Sequence, residues 1–460
     1  MVSWVNTCSW SPKREHSCNT SSVRFRLTSL AQVCKGTLVG DDREIDAVSI
    51  DSRDLPTGAL FIPLVAERDG HGFIDDAIAN GAVAHLTSDG VRRDQPHIAV
   101  TDTARALTHI GTYARSLLST PVVGVTGSVG KTSAKDLIEA AVRPQRRVHA
   151  SYKSFNNELG VPLTLANAPD DTQIVVVEMG ARGAGHIAHL CDIASPTIGL
   201  VTRVGAAHTE LFGSVADVAT AKGELIEALP RSGTAVLNAD DDLVLAMASR
   251  SSADVLTFGL SVGDVRAENI SMDAQLRPAF VARTPWGDAD VGLGVSGMHN
   301  VAMALGALAV AGVCGVAIEE AAFGLGEAVL SPWRMEVKQS PSGATVINDA
   351  YNANPLSTES ALRSLAALPG RRVAVLGTMA ELGSEHDASH LAMAEVGASL
   401  DIEVISFQEP AYRCPTVQTH DEALAAIGLL DARVAVLVKG SRVAGLEDLA
   451  ERLLSEPTTS

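Results

Sequence analysis

Two short stretches hold residues able to do phosphate chemistry. In "VVGVTGSVGKTS" an apolar run gives way to Thr126, Gly127, Ser128, Val129, Gly130, Lys131, Thr132 and Ser133. Gly127 and Gly130 let backbone amides converge on an anion where a helix begins, and the helix dipole favours the same charge. Lys131 reaches β- and γ-phosphates, and the Thr132 hydroxyl ligates magnesium. A full P-loop pattern places a glycine where Val125 stands, so the match is to the shorter TGxxGKT form. A strand before and a helix after favour an ATP site over a chance glycine-rich turn. The second stretch, "IVVVEMGARGAG", ends an apolar run in Glu178. An acid there can serve magnesium.

Two further groups follow. His208 lies in the loop after "TIGLVT", and Lys222 comes fourteen residues later in the helical pattern "VADVATAKGELIEAL". By themselves they read as an ordinary loop histidine and a surface lysine. Beside a phosphate loop they gain weight, because a glutamate and a histidine near one triphosphate suggest two magnesium ions.

The surrounding elements must hold these groups. Apolar strands "PVVGVT", "IVVVEMG", "TIGLVT" and "TAVLNADD" alternate with helices, as in a parallel sheet covered on both faces. A hairpin is expected at "TPWGD", and "LSPWRMEV" reads as a linker into a second doubly wound sheet built on "ATVIN", "RVAVLG", "IEVIS" and "VAVLVKG". Before the phosphate loop, "AVSI", "ALFIPL" and "HIAV" are strand-like. The uncharged segment Val301 to Ile318 has the length of a membrane span, but it is half Ala and Gly and is expected to be a buried core helix.

Composition narrows the function. The 460 residues suggest two to four domains; hydrophobic residues make up 46% and aromatics only 4%, so the cores must be aliphatic. A net charge of −18 argues against nucleic acid or an anionic membrane as partner. Six cysteines without CxxC pairs fit a reducing compartment, hence an expected cytoplasmic location. Residues 1–22 have no apolar core for a signal peptide and are expected to be a disordered extension, or to follow a start site assigned too early.

"TGSVGKT", "NNELGVPLTL", "VVEMGARGAGHIAHL", "GAAHTELFGSVADVATAKGEL" and "LNADDD" resemble, in order, the central domain of the Mur ligases. "DAYNANP", "RRVAVLGTMAELG" and "VLVKGSR" are similar to the C-terminal domain of the branch that adds a dipeptide, and Ile50–Ile74 to its UDP-binding domain. The resemblance implies an α/β, three-domain Mur ligase architecture: a UDP-substrate domain at 23–119, a central P-loop doubly wound domain at 120–330, and a C-terminal Rossmann-like domain at 331–460. It implies an ATP-dependent, ADP-forming ligase that joins D-alanyl-D-alanine to UDP-N-acetylmuramoyl-tripeptide, acting as a monomer.

By the same resemblance Lys131, Thr132 and Glu178 serve ATP and a first magnesium, and His208 a second. Lys222 falls where the family carries a lysine carbamylated by carbon dioxide; an ammonium cannot ligate magnesium, whereas a carbamate oxygen can. Asn300 and Asp349 match nucleotide-contacting positions, Arg334 an arginine near the γ-phosphate, and Asn156 and Asn157 acceptor contacts. Ser52, Arg53, His71 and Phe73 match the UDP-sugar site. Asn352, Asn354, Lys439 and Arg442 are placed to hold the carboxylate of the amine donor. Met303, Thr378 and Asn348 depart from the family pattern, none at a phosphate or metal position. The nearest rival is a related ligase adding a single amino acid, for which "DNPR" is expected where Asn352 to Pro355 reads "NANP". A regulatory P-loop ATPase and a catalytically dead binding module are the other two readings.

Overall fold

The computed structural model describes residues 25–90, 94–152, 154–205 and 212–455. The chain forms two compact units. The first comprises the residues up to Gly124 with Arg147–Met179 and Ala188–Pro196; the second comprises Val125–Arg146, Gly180–Ile187 and everything from Thr197.

In the first unit β1 (Phe25–Arg26) pairs antiparallel with β3 (Glu44–Ile45). A five-stranded sheet contains β2 (Thr37–Val39), β4 (Ala47–Ser49), β5 (Ala59–Phe61), β6 (Ala84–Thr87) and β7 (His97–Ala99), in the order β2-β7-β6-β5-β4. The three strand-like runs of the sequence are β4, β5 and β7. The helix Thr103–Leu117 starts on Asp102, whose side chain accepts the Arg105 N–H. Its Gly111 has no room for a Cβ against Pro162 of the helix Gly160–Ala166, so the two backbones pack in contact. Asn167, at the end of that second helix, exchanges two hydrogen bonds with the Val48 backbone. β8 (Val122–Thr126) leads from this unit into the next, while β9 (Val148–Ala150) and β10 (Ile174–Glu178) pair in parallel.

In the second unit β11 (Ile198–Val201), β12 (Thr234–Asn238), β13 (Asp254–Gly259) and β14 (Val265–Met272) are parallel neighbours. β15 (Pro278–Thr284) and β16 (Gly287–Gly292) then add on antiparallel, forming the expected hairpin. The uncharged segment becomes the helix His299–Val313, buried along nearly its whole length. Small residues let it pack closely: a Cβ on Gly312 would run into the Trp286 ring. No helix among the described residues is long and apolar enough to cross a membrane.

The last sheet holds β17 (Glu336–Gln339), β18 (Thr345–Asp349), β19 (Arg371–Leu376), β20 (Glu403–Phe407), β21 (Thr416–Val417) and β22 (Val434–Lys439), in the order β17-β18-β22-β19-β20-β21. The alternation along β22 explains its cover. Ala435 and Leu437 belong to one core with Leu362 and Leu365, while Val436 and Val438 belong to another with Leu449 and Leu453. Successive side chains point to opposite faces, so a continuous apolar strand needs helices on both. The helices Pro355–Ala366 and His386–Ser399 cover one face; His420–Ile427 and Glu447–Ser455 cover the other.

Candidate active site

β8 ends at Thr126, and the helix Lys131–Val142 starts directly after Gly130. Gly130 caps that helix in the left-handed conformation, with φ +81, and Gly127 sits at φ +146. Space forbids a side chain as firmly as the dihedral does. A Cβ on Gly127 would collide with Thr202 Oγ1, and one on Gly130 would come within 2.6 Å of Met303 Sδ. Val125 lies buried within the strand, and the first loop glycine, Gly127, comes two residues later than in the longer pattern.

The loop is pinned from β11 and the segment behind it. Thr202 N–H donates to Thr126 O at 3.0 Å, and Thr202 Oγ1 to Val129 O at 2.5 Å. Ser128 N–H reaches Arg203 O at 2.6 Å, while Ser128 Oγ donates to Gly205 O and accepts the Gly205 N–H, both at 3.1 Å. Asn238 at the end of β12 holds Thr202 O at 2.7 Å, and Asp241 holds Val204 N–H at 2.9 Å. Lys131 Nζ lies across the arc and donates to Gly127 O at 2.8 Å. Gly130→Ala is expected to lower stability by about 1 to 3 kcal/mol through the left-handed backbone alone, with more from the Met303 contact. A urea titration checks this, and an unchanged midpoint would contradict it.

The linker runs along the same helix. Ser331 N–H donates to Asp136 Oδ2 at 2.7 Å, and one turn nearer the loop Arg334 Nη2 donates to Thr132 Oγ1 at 2.9 Å. The Arg334 guanidinium stacks on Tyr351, 3.9 Å from the ring centroid. Neither Asp136 nor Tyr351 figured among the expected site residues; each works through a neighbour far away in the sequence. Asn300 is fully buried. Its Nδ2 donates to Ser296 O at 2.7 Å, while its Oδ1 has no hydrogen-bond partner among the described residues. An unpaired buried acceptor is disfavoured by about 1 to 3 kcal/mol, which a ligand donor would relieve. Burial also holds the adjacent His299 imidazole neutral, with its pKa below the ordinary histidine value.

Lys222 is 2% exposed, in the helix Val215–Glu227 that Ser214 caps. The surface-lysine reading is therefore wrong: the apolar stripe of this helix faces the core and carries the lysine inward. Its ammonium lies 6.0 Å from the Phe212 ring centroid. His208 lies outside the described residues.

In the first unit Glu178 is 1% exposed at the end of β10, and its Oε1 accepts from Asn156 Nδ2 at 2.7 Å. Asn157 Oδ1 accepts the Gly160 N–H at 2.9 Å, just ahead of the next helix. The expected UDP-sugar residues are closely tied. Arg53 forks onto Asp51 through Nε at 2.9 Å and Nη2 at 2.7 Å, and Ser52 O accepts from Asn80. His71 has both ring nitrogens engaged: Nδ1 faces Asp69 at 2.6 Å, and Nε2 accepts the Ser88 N–H at 2.9 Å. Phe73 is exposed.

In the last sheet, Lys439 is buried and donates to Asp349 Oδ2 at 2.5 Å and to Asn352 O at 3.0 Å. Asp349 Oδ1 also takes the Met335 N–H. Asn354 caps the helix Pro355–Ala366 by accepting the Ser357 N–H at 2.9 Å, and the Ser357 hydroxyl answers it. Asn352 is exposed. The Arg442 guanidinium stacks on Trp333 at 4.0 Å and approaches Glu447 at 3.4 Å. Lys439 and Asn354 thus have structural partners that sequence reasoning missed.

Comparison with known proteins bears on the whole chain. The Mur ligase middle domain matches residues 125–311, and the "Mur ligase, glutamate ligase domain" matches 333–442. UDP-N-acetylmuramoyl-tripeptide–D-alanyl-D-alanine ligase of Escherichia coli K12 is 35% identical over 451 residues, covering 95% of this chain and all of the relative. The chain belongs to the Mur ligase family. A crystal structure of MurF from Acinetobacter baumannii superposes with a TM-score of 0.86 at 28% identity, over 95% of this chain and 100% of that one. MurF ligase from Thermotoga maritima in complex with ADP gives 0.79 at 28%, over 89% and 97%.

Within this Mur ligase the departures from the family pattern have local explanations. Met303 fills the space above Gly130. Thr378 works through its backbone, its carbonyl accepting the Ser441 N–H at 2.9 Å. Asn348 turns its side-chain oxygen onto the Ala350 N–H at 3.2 Å.

Proposed function

We infer that this chain is an ATP-dependent ligase that joins D-alanyl-D-alanine to UDP-N-acetylmuramoyl-tripeptide, forming ADP and a peptide bond in peptidoglycan precursor synthesis. One observation carries the reading: relatives bearing that name match along essentially the whole length, the first block included. The acceptor's terminal carboxylate oxygen attacks the γ-phosphorus as the bond to ADP breaks, giving an acyl phosphate. The dipeptide amine then adds to the acyl carbon, loses a proton, and expels inorganic phosphate.

The chain's own groups divide that work. The loop 126–133 presents the helix N-terminus to the phosphates, with Lys131 and Arg334 neutralising the charge that spreads in the transition state. Asn300 and Asp349 are assigned to the nucleotide, and the unpaired Asn300 Oδ1 suits a donor on it. Thr132, Glu178, His208 and Lys222 are assigned to two magnesium ions, which supply charge stabilisation on the phosphoryl oxygens. The donor set fits: Glu178 is a buried carboxylate, Thr132 a hydroxyl, and Lys222 would contribute an anionic oxygen as its carbamate. Asn156 and Asn157 are assigned to the acceptor peptide, and Ser52, Arg53, His71 and Phe73 to the UDP-sugar. Asn352, Asn354, Lys439 and Arg442 are assigned to the amine donor, with Arg442 the more accessible of the two cations. The domain boundaries near 119 and 330, a monomeric state and a cytoplasmic location complete the proposal.

Donor specificity tests it. A pocket spaced for a dipeptide carboxylate leaves polar groups unpaired when a single amino acid binds, and such groups discriminate strongly. D-alanyl-D-alanine is expected to give product with UDP-N-acetylmuramoyl-tripeptide, while D-alanine, glutamate and diaminopimelate give none. Mass spectrometry of the product with each donor alone decides, and efficient coupling of a single amino acid would move the chain to another branch of the family.

A further inference from the structure

The loop 377–382 follows β19, whose end lies beside the end of β22 that carries Lys439. It is held on two sides. Ala380 N–H donates to Ser441 Oγ at 2.9 Å, and Ser441 N–H donates to Thr378 O at 2.9 Å, which ties the loop to the turn bearing Arg442. From behind, Met379 N–H donates to His390 Nε2 at 2.8 Å, and Tyr412 OH donates to Gly377 O at 3.0 Å. His390 is fully buried on the helix His386–Ser399, and its Nδ1 pairs with His386 O at 2.6 Å. That second bond fixes the tautomer: Nδ1 carries the proton, so Nε2 is free to accept.

His386, His390 and Glu409 together have the makeup of a metal site, their ligand atoms lying within 4.8 Å of one another. The hydrogen bonds argue otherwise, since a metal on His390 Nε2 would have to displace the Met379 amide. We propose that His390 is a positioning residue for the amine donor: as a neutral acceptor it locks Met379, and with it the loop 377–382, against Ser441 at the donor end of the last sheet. This rests on the donor site assigned above.

Proton uptake by His390 breaks the arrangement, because Nε2–H and Met379 N–H are then two donors face to face. Burial lowers the proton affinity of His390, and the neighbouring His386 lowers it further; its bond to His386 O and the carboxylates of Glu409 and Asp387 raise it. Tyr412 completes the surroundings, edge-on with its centroid 4.8 Å away. The net shift is downward, so the neutral form persists below the ordinary histidine value of 6.5. Stability drawn from the Met379 bond is fully present above 6.5 and is lost as the pH falls towards the lowered folded-state value.

Steady-state kinetics of the full chain, varying each substrate in turn, tests this. His390→Ala is expected to raise KM for D-alanyl-D-alanine about tenfold or more, the size expected when a buried amide loses its acceptor, leaving KM for ATP and the UDP-peptide near normal. His390→Gln, whose amide oxygen falls near the place of Nε2, should recover most of the loss. In the unsubstituted enzyme, KM for the dipeptide should rise on the acid side of 6.5, and Glu409→Gln should move that rise to lower pH. Protection of the Met379 amide from hydrogen exchange, taken relative to the intrinsic rate at each pH, should fall in His390→Ala and at low pH. Equal changes in all three KM values, unchanged exchange at Met379, or retention of one equivalent of added zinc would each overturn the proposal. Failure of the unsubstituted enzyme to use the dipeptide would instead overturn the donor-site reading, and exchange at Met379 would still decide whether His390 holds the loop.

Discussion

Lys131→Ala is expected to fold normally and to turn over at least a hundredfold more slowly. Lys131 stands at the first position of the helix behind the phosphate loop, its ammonium lying over the arc at 2.8 Å from Gly127 O. A cation there acts on charge that spreads over the transferring phosphoryl group, and removing it forfeits about 3 to 4 kcal/mol of transition-state stabilisation. The loop keeps its shape without it, since Thr202, Ser128, Asn238 and Asp241 pin the backbone. Phosphate release by the purified variant, with its thermal midpoint as control, is the measurement. Near-normal turnover would remove the phosphate-loop assignment.

Lys222→Ala is expected to be nearly inactive, and Lys222→Arg equally so. A lysine that is 2% exposed in a helix interior gains nothing from solvent as a cation, and an ammonium cannot ligate magnesium; a carbamate formed with carbon dioxide can. Activity should fall in buffer stripped of carbon dioxide and return with bicarbonate, and small carboxylates should partly rescue Lys222→Ala. A carbamate carbon resonance from labelled bicarbonate, present in the unsubstituted protein and missing in Lys222→Ala, gives a readout independent of turnover. Full activity in Lys222→Arg, which forms no carbamate, would show that the positive charge alone is needed.

The elements that bear the chemistry were legible because each announces itself locally. β8, the glycine pair and the helix after it are contiguous, and Glu178 ends an unbroken apolar run. The uncharged segment read as a core helix is one. β6, β9, β13 and β14 were among the strands passed over. β6 and β9 are only three to four residues long, and β14 is half-exposed along much of its length, so its apolar signal is diluted. Lys222 was misjudged in isolation, because lysine usually marks a solvated face; what buries it is the packing of its whole helix.

The sequence by itself determined the family, the strand–glycine–helix course of the loop 126–133 and the doubly wound character of the last sheet. Glycine dihedrals, strand alternation and the register of a lysine after GxxG all act over a few neighbouring residues. Only the tertiary structure decided which partners complete each group. Arg334 meets the Thr132 hydroxyl across 202 residues of chain, Lys439 meets Asp349 across 90, and Thr202 meets Val129 across 73. It also gave Asn354 a helix-capping bond, and placed the sulfur of Met303 over Gly130. Residue type and spacing fix what a side chain can do. Which hydrogen bonds it makes depends on which strand ends lie side by side, and long-range packing sets that.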